Sequence, residues 1–575
     1  MIFFRPFILS VLFCLTGIVS IISAQSNCAA GTATETLDAA NSTITLSSTG
    51  LWAFDPEGNT PAYGWPRREN NDGPGIMFTG NLWFGGFDDG GNLKLAAKTY
   101  EMDNNNGYGY WPGPLDATTG TTDSLTCSNW DRLFKVNKTD IENFITDYYD
   151  NGQLDDPIPV SVLGWPGNGN PFFSGIHGFE LPEILGFGQG LAPFFDHNFD
   201  GIYDPSAGDY PQINCADQAV WWVFNDRGNS SNMIGEPVKI EIQILAYVYD
   251  TNIDNIYNSS FYDVKFINRA SEPIDSFFVG IWIDPDLGCG EDDYLGCVPE
   301  ENFVYVYNQD ALDGGPDGSC SGTKTYQEEP PNYGVKLIKK PLDEFGEEVD
   351  MFSFNYYFNN STFPLGHVNP TFPEEYYNYL TGRRLDGAPY QDPSGALTNF
   401  LFSGNPSDTP DGWSMCSEDT PNADRHFIMS FGPMRIEPGS NNEFTFAVVV
   451  EPQSELPCPD VSSLLEAADL PWPASFLGQD LFCSLVTNTN QENLSEINLT
   501  IFPNPATDQL NFQLSENESF LSICLYQMDG KLVRKEEELR STNVLLKRND
   551  LASGTYFYQV QTLSGNSFSG KILFE

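Results

Sequence analysis

The sequence predicts an all-β, multi-domain protein: a β-sandwich body with long loops, followed by a small Ig-like β-sandwich. Three observations carry that expectation. Apolar residues alternate with polar ones at strand length, as Ile240, Ile242, Ile244, Ala246 and Val248 do against Lys239, Glu241 and Gln243. The 52 Gly and 40 Pro cluster between such runs, where they punctuate turns. No window of about 15 residues before Glu236 sustains helical periodicity, which argues against a parallel α/β sheet. At 575 residues the chain exceeds one core, and 43 Phe, 26 Tyr and 11 Trp supply the apolar area to bury several.

Taken in order, residues 1–24 read as a secretory signal peptide: Arg5, an apolar run from Phe7 to Ile22, and a small residue, Ala24, before the cut. Cys14 follows the bulky Phe13, which disfavours lipid attachment. The run of about 16 apolar residues falls short of the roughly 20 that span a bilayer, so no transmembrane segment is expected in the mature chain. Residues 25–236 form a Gly- and aromatic-rich β region, as in Leu82-Trp83-Phe84-Gly85-Gly86-Phe87. Residues 237–455 form a β-sandwich domain, with strands expected at 238–248, 261–268, 276–283, 303–307 and 443–450. Residues 456–496 hold a short helix over 461–469, stopped by Pro471 and Pro473, and then a polar linker at 487–496. Few apolar side chains there means little to pack, as suits an accessible cleavage zone. Residues 497–575 return to short strands: Leu510, Phe512 and Leu514, then Leu521, Ile523 and Leu525, with a turn at Met528-Asp529-Gly530.

Charge narrows the partners. With 79 acidic and 27 basic side chains the formal charge is −52, which excludes nucleic acid as a main ligand and leaves cations, neutral glycans and protein surfaces. After Glu496 the chain carries seven basic and nine acidic side chains, so the acidity belongs to the passenger.

Four ordered segments mark the C-terminus: Ile501-Phe502-Pro503-Asn504-Pro505-Ala506-Thr507-Asp508, Leu525 to Val533 with Gly530, Leu551 to Tyr558 with Gly554 and Tyr556, and Gly570-Lys571-Ile572-Leu573-Phe574. Pro503 and Pro505 fix φ and lack N–H groups, so they end the first strand and prevent edge pairing. Together the segments, over about 75 residues, resemble the C-terminal sorting domain (type A) of type IX secretion cargo. The resemblance implies export through the periplasm and the outer membrane by the type IX translocon, and removal of the tail by a sortase-like peptidase. It also implies a passenger that is either released or joined to a surface polysaccharide. Further blocks, Asp196 to Pro205, Trp221 to Asp226, Gly280 to Gly288, Asp292 to Cys297, Val304 to Asn308 and Asp424 to Ser430, resemble recurrent blocks of uncharacterised cargo of the same route and imply no reaction.

One of those blocks has cation chemistry. Asp196, Asn198, Asp200, Gly201 and Asp204 occupy positions 1, 3, 5, 6 and 9 of an Asp-rich calcium loop, with Ile202 placed to offer its carbonyl. Ala207 stands where a bidentate Glu is usual, and the next carboxylate is Asp209. Calcium is the expected structural ion, since acidic groups this close repel unless a cation screens them. A second acidic group, Asp284, Asp286, Glu291, Asp292 and Asp293 around Cys289 and Cys297, fits no single ligand template. Asp250 to Asn255 reads as a hairpin turn.

Ten cysteines lie beyond the signal peptide, and export through an oxidising compartment makes disulfides the default. Cys289 with Cys297 and Cys458 with Cys483 are the expected local pairs, while Cys524 reads as a small buried apolar residue. The four histidines form no HExxH, no GxSxG occurs, and Gly318-Ser-Cys-Ser-Gly322 reads as a loop or disulfide site. No catalytic residue is assigned. The sequence points to a secreted or surface protein acting in adhesion, glycan binding or envelope structure; the alternative is a glycoside hydrolase with two carboxylates roughly 5–10 Å apart.

Overall fold

The computed structural model describes residues 28–469 except 56–59, 69–72, 98, 100–108, 152–153, 183–189, 230–235, 315–319, 321–322, 360–365 and 453–456. It also describes residues 499–574 except 505, 515–518, 527–531, 538, 549–550 and 563–566. The expected signal peptide and the linker at 487–496 lie outside the described residues.

The principal strands of the passenger are β1 Thr79–Phe87, β2 Leu93–Ala97, β3 Trp111–Pro112, β4 Phe134–Asn137, β5 Gln218–Asn225, β6 Ile240–Val248 and β7 Ser259–Asn268. They continue with β8 Ile274–Asp284, β9 Asp293–Val298, β10 Phe303–Asn308, β11 Asn332–Lys339, β12 Met351–Phe358, β13 Arg425–Ile436 and β14 Asn441–Glu451. One sheet has nine strands in the order β9-β10-β11-β14-β7-β6-β5-β3, with β4 also on β5; the other has five, β12-β13-β8-β1-β2. All five strands expected from alternation are present, as β6, β7, β8, β10 and β14.

The stretches 25–236 and 237–455 are two halves of one sandwich. Strands β5 and β6, on either side of the expected boundary, pair from Gln218↔Val248 to Asn225↔Glu241, and β1 pairs with β8. Their side chains share one core that runs from Leu37 to Ala468. The Gly- and Pro-rich composition before 236 therefore marks long loops between strands, with no break in packing.

Strand β6 also departs from its alternation. Glu241 and Gln243, which read as a solvent face, are buried. Arg269 explains this: its Nε and Nη2 donate to Glu241 Oε2 and Oε1 at 3.0 and 3.2 Å. Gln243 Nε2 and Leu115 N–H donate to the same carboxylate. Buried charge is tolerated where every polar atom finds a partner.

A helix also forms where no sustained helical pattern was expected, α1 Lys138–Asn151. Its apolar stripe, Ile141, Phe144, Ile145 and Tyr148, follows i, i+3, i+4, i+7 but covers only the middle of the element. Helix α2, Pro373–Leu380, covers the outer face of the five-stranded sheet and buries Tyr376, Tyr379 and Leu380 against Trp83, Trp282 and Tyr357. Glu375 fixes its start by accepting the N–H groups of Thr371 and Phe372. The helix expected at 461–469 is α3, Ser462–Ala468, and inserts Leu464 and Ala468 into the main core.

Neither expected cysteine pair forms. Cys289 bonds to Cys320, Cys458 to Cys416 and Cys28 to Cys127; Cys215 is also disulfide-bonded. Cys297 is a free, buried thiol, because strand β9 turns it into the core, where its Sγ meets the Leu401 carbonyl at 3.4 Å. Cys483 lies outside the described residues. Cys524 is buried, as a small apolar residue would be.

The C-terminal unit has its own core. Strands β15 Leu499–Phe502, β16 Gln509–Leu514 and β19 Asn543–Lys547 make one sheet. Strands β17 Phe520–Tyr526, β18 Leu532–Glu537, β20 Gly554–Thr562 and β21 Ser567–Phe574 make the other, in the order β18-β17-β20-β21. Leu510, Phe512, Leu514, Ile523, Leu525, Tyr556 and Ile572 meet between them. Leu521, expected on the inner face, is 39% exposed, since a register shift between Phe520 and Ser522 puts Phe520 inward instead.

Candidate functional site

The Asp-rich loop is the excursion of a two-stranded ladder, Phe194–Phe195 with Tyr210–Pro211. Its N-terminal carboxylate organises the turn: Asp196 Oδ1 accepts from Asp200 N–H at 3.2 Å and Oδ2 from Gly201 N–H at 2.8 Å. Gly201 has φ +76°, the left-handed conformation that glycine adopts without strain. Asn198 Oδ1 accepts from Asp200 N–H, and Asp200 Oδ1 accepts from the N–H of Ile202. Asp204 caps the short turn 205–207, its Oδ1 accepting from Ser206 N–H and Oγ–H. Two buried groups anchor the loop: Tyr203, whose hydroxyl donates to the Val162 carbonyl at 2.6 Å, and Asp209.

Asp209 closes the loop. Its Oδ1 accepts from His197 N–H and its Oδ2 from Asp204 N–H, both at 2.8 Å. Burial pushes this carboxyl up to about 6; the N–H donors of Asp204 and His197 resist and the Asp196 and Asp200 charges assist. Thus Asp196, Asn198, Asp200, Ile202, Asp204 and Asp209 lie on one hydrogen-bonded loop that concentrates carboxylate and amide oxygens.

The second acidic group divides around β8 and β9. Asp284 ends β8, next to Asp424 and His426 at the start of β13. Asp292 and Asp313 gather by Cys289, and Asp293 Oδ2 accepts from Leu287 N–H. The segment 250–255 connects paired strands β6 and β7 and runs into a helical turn at Asp254–Tyr257.

A cavity of about 510 Å³ opens among segments 356–421. It is lined by Tyr356, His367, Arg384, Tyr390, Trp413 and Glu418, among others. Tyr356 and Tyr390 are buried, each ring centroid 5.3 Å from that of His367. Burial lowers the His367 pKa and keeps the imidazole neutral at pH 7. The Tyr390 hydroxyl has no hydrogen-bond partner among the described residues. Trp413 is half-buried and packs on Phe402 at 5.6 Å. Such a surface can stack on an apolar ring face while Arg384 and Glu418 address hydroxyl groups. Sequence reading missed these residues, which share no motif and meet only through the fold.

In the C-terminal unit, Pro503, Asn504 and Asp508 are exposed around the β15–β16 connection, while Pro505 and Gly530 lie outside the described residues. Arg548 braces that connection: its N–H donates to the Asp508 carbonyl at 2.8 Å and its Nη1 to that of Thr507 at 3.1 Å. Gly554 opens β20 at φ +146°. Buried Tyr556 donates its hydroxyl to the Ala552 carbonyl at 3.0 Å, and Lys571 pairs with Phe557 in β21.

Comparison with known proteins defines the class from this end of the chain. Residues 500–575 match the family described as the secretion system C-terminal sorting domain. The protein is a type IX secretion cargo, exported to the cell surface or the medium by the machinery that reads that tail. No curated protein matches the chain. Among solved structures, a polysaccharide lyase aligns at 9% identity over 58% of this chain, with a TM-score of 0.17. The chain spans about a third of that structure, 34% of its length, and so loose a superposition carries no argument about fold or activity. Among the described residues, no helix is long and apolar enough to cross a membrane.

Proposed function

We propose that the exported passenger is a non-enzymatic, calcium-stabilised surface protein that holds a neutral saccharide in the cavity lined by Tyr356, Tyr390 and Trp413. The cavity carries this reading: its 510 Å³ falls within the roughly 300–1,000 Å³ of small-molecule sites, and it combines aromatic faces with polar groups. The charge of −52 favours neutral glycans over acidic ones. The Asp196–Asp209 loop supplies oxygen donors for calcium, a hard cation taking six to eight of them at about 2.3–2.6 Å. Residues 1–24 take the chain across the inner membrane, and a sortase-like peptidase frees the passenger in the stretch before the tail, leaving it released or joined to surface polysaccharide.

A glycan array probed with the purified chain tests the binding claim. Retention on a set of neutral glycans, lost in Trp413→Ala while the melting curve is kept, is the expected result. Equal retention by the variant would sink the cavity as the binding site. Reducing-sugar release measured on the same glycans decides the chemistry: release abolished by Glu418→Gln would make the protein a glycoside hydrolase.

A further inference from the structure

The outer face of the five-stranded sheet carries a cluster of ligating side chains outside the calcium loop and the cavity. Strands β8 and β13 pair through Ile283↔Phe427, and β12 and β13 through Tyr357↔His426. That register brings Asp284, at the end of β8, beside His426, while Asp424 enters from the residue preceding β13. His426 Nε2 stands 3.4 Å from Asp284 Oδ1 and 3.7 Å from Asp424 Oδ1, and the three donor groups all lie within 4.8 Å of one another.

His426 and Asp284 share a long hydrogen bond, and both separations exceed the roughly 2.7–2.9 Å of a short charge-assisted one. They match the spacing of donors around an ion: bonds of about 2.0–2.2 Å in a tetrahedron place donor atoms roughly 3.4 Å apart. Asp424 Oδ1 is buried and accepts no hydrogen bond among the described residues, while its Oδ2 accepts from Asn359 Nδ2 at 3.0 Å. The carboxylate is thereby oriented with one oxygen left for another partner. The His426 ring is fully buried and held edge-on by Trp282 and Tyr357, at 5.3 and 5.0 Å. Asp424 pairs with His426 and with no lysine or arginine among the described residues. Two carboxylates and one imidazole held at this spacing make a donor set for a divalent cation.

We infer that Asp284, Asp424 and His426 form a second metal site that takes a divalent transition ion such as Zn²⁺. The imidazole selects against calcium, which prefers oxygen donors alone. Asp284 and His426 hold the ion from within the sheet, and Asp424, whose side chain is 39% exposed, borders the solvent side.

The test uses the full purified chain, stripped with chelator and titrated with Zn²⁺ in calcium-saturated buffer so that the Asp196–Asp209 loop does not compete. Calorimetry is expected to show one Zn²⁺ per chain, weakened about tenfold or more in His426→Gln and in Asp424→Asn. Co²⁺ loaded in place of Zn²⁺ gives a visible ligand-field band that both variants lose. No Zn²⁺ uptake by the unaltered chain, or uptake unchanged in Asp424→Asn, overturns the site. Because His426 is buried and its replacement can unfold the sheet, the partly exposed Asp424 keeps the test decisive.

Discussion

Asp209 couples the Asp196–Asp209 loop to pH. Its folded-state value of about 6 lies above the roughly 3.9 of an unfolded aspartate, so the folded loop holds the proton more tightly than the unfolded chain does. The stabilisation this provides is full below about pH 4 and is lost as pH rises to about 6. Calcium bound as proposed would act in the opposite sense, because a cation takes the ionised carboxylate. The chelated chain is therefore expected to lose melting temperature between about pH 4 and 6 relative to Asp209→Asn, and millimolar calcium to restore it at pH 7. Identical melting curves with calcium and with chelator would remove the ion from the account.

Strand β6 shows how an element can be recognised while its surroundings stay hidden. Its alternation was legible because a strand exposes successive residues to opposite faces. The burial of its polar face was not, because Arg269, which neutralises Glu241, lies 28 residues away and meets it only after β6 and β7 pair. Truncating Arg269→Ala strands a buried carboxylate and is expected to destabilise the passenger by about 3–5 kcal/mol in urea unfolding. The double variant Glu241→Leu/Arg269→Leu should lose less; an equal or greater loss would show that the pair's charges are not what matters. The same limit governed the sites. The Asp196–Asp209 loop is contiguous and could be read directly, whereas Asp284 and His426 meet only once β8 pairs with β13. Helix α1 escaped because its apolar stripe, Ile141 to Tyr148, spans only half its length.

At the scale of the molecule, a passenger built on two large sheets precedes a tail with a separate core. The tail's composition and motifs identified it in the sequence, since its signals are local and ordered along the chain. The passenger's unity was hidden, because both sheets mix strands from either side of residue 236. Deleting residues 497–575 is expected to leave the passenger in the periplasm, read by immunoblot of medium, surface and periplasmic fractions. Undiminished arrival outside would separate export from the tail. Among the described residues the two hydrophobic interiors share no side chain, so a cut between Asp469 and Leu499 divides neither of them. Maturation by the proposed cut would leave the core from Leu37 to Ala468 whole and would uncover the Phe199 ring, over which Lys535 of the tail lies at 4.9 Å.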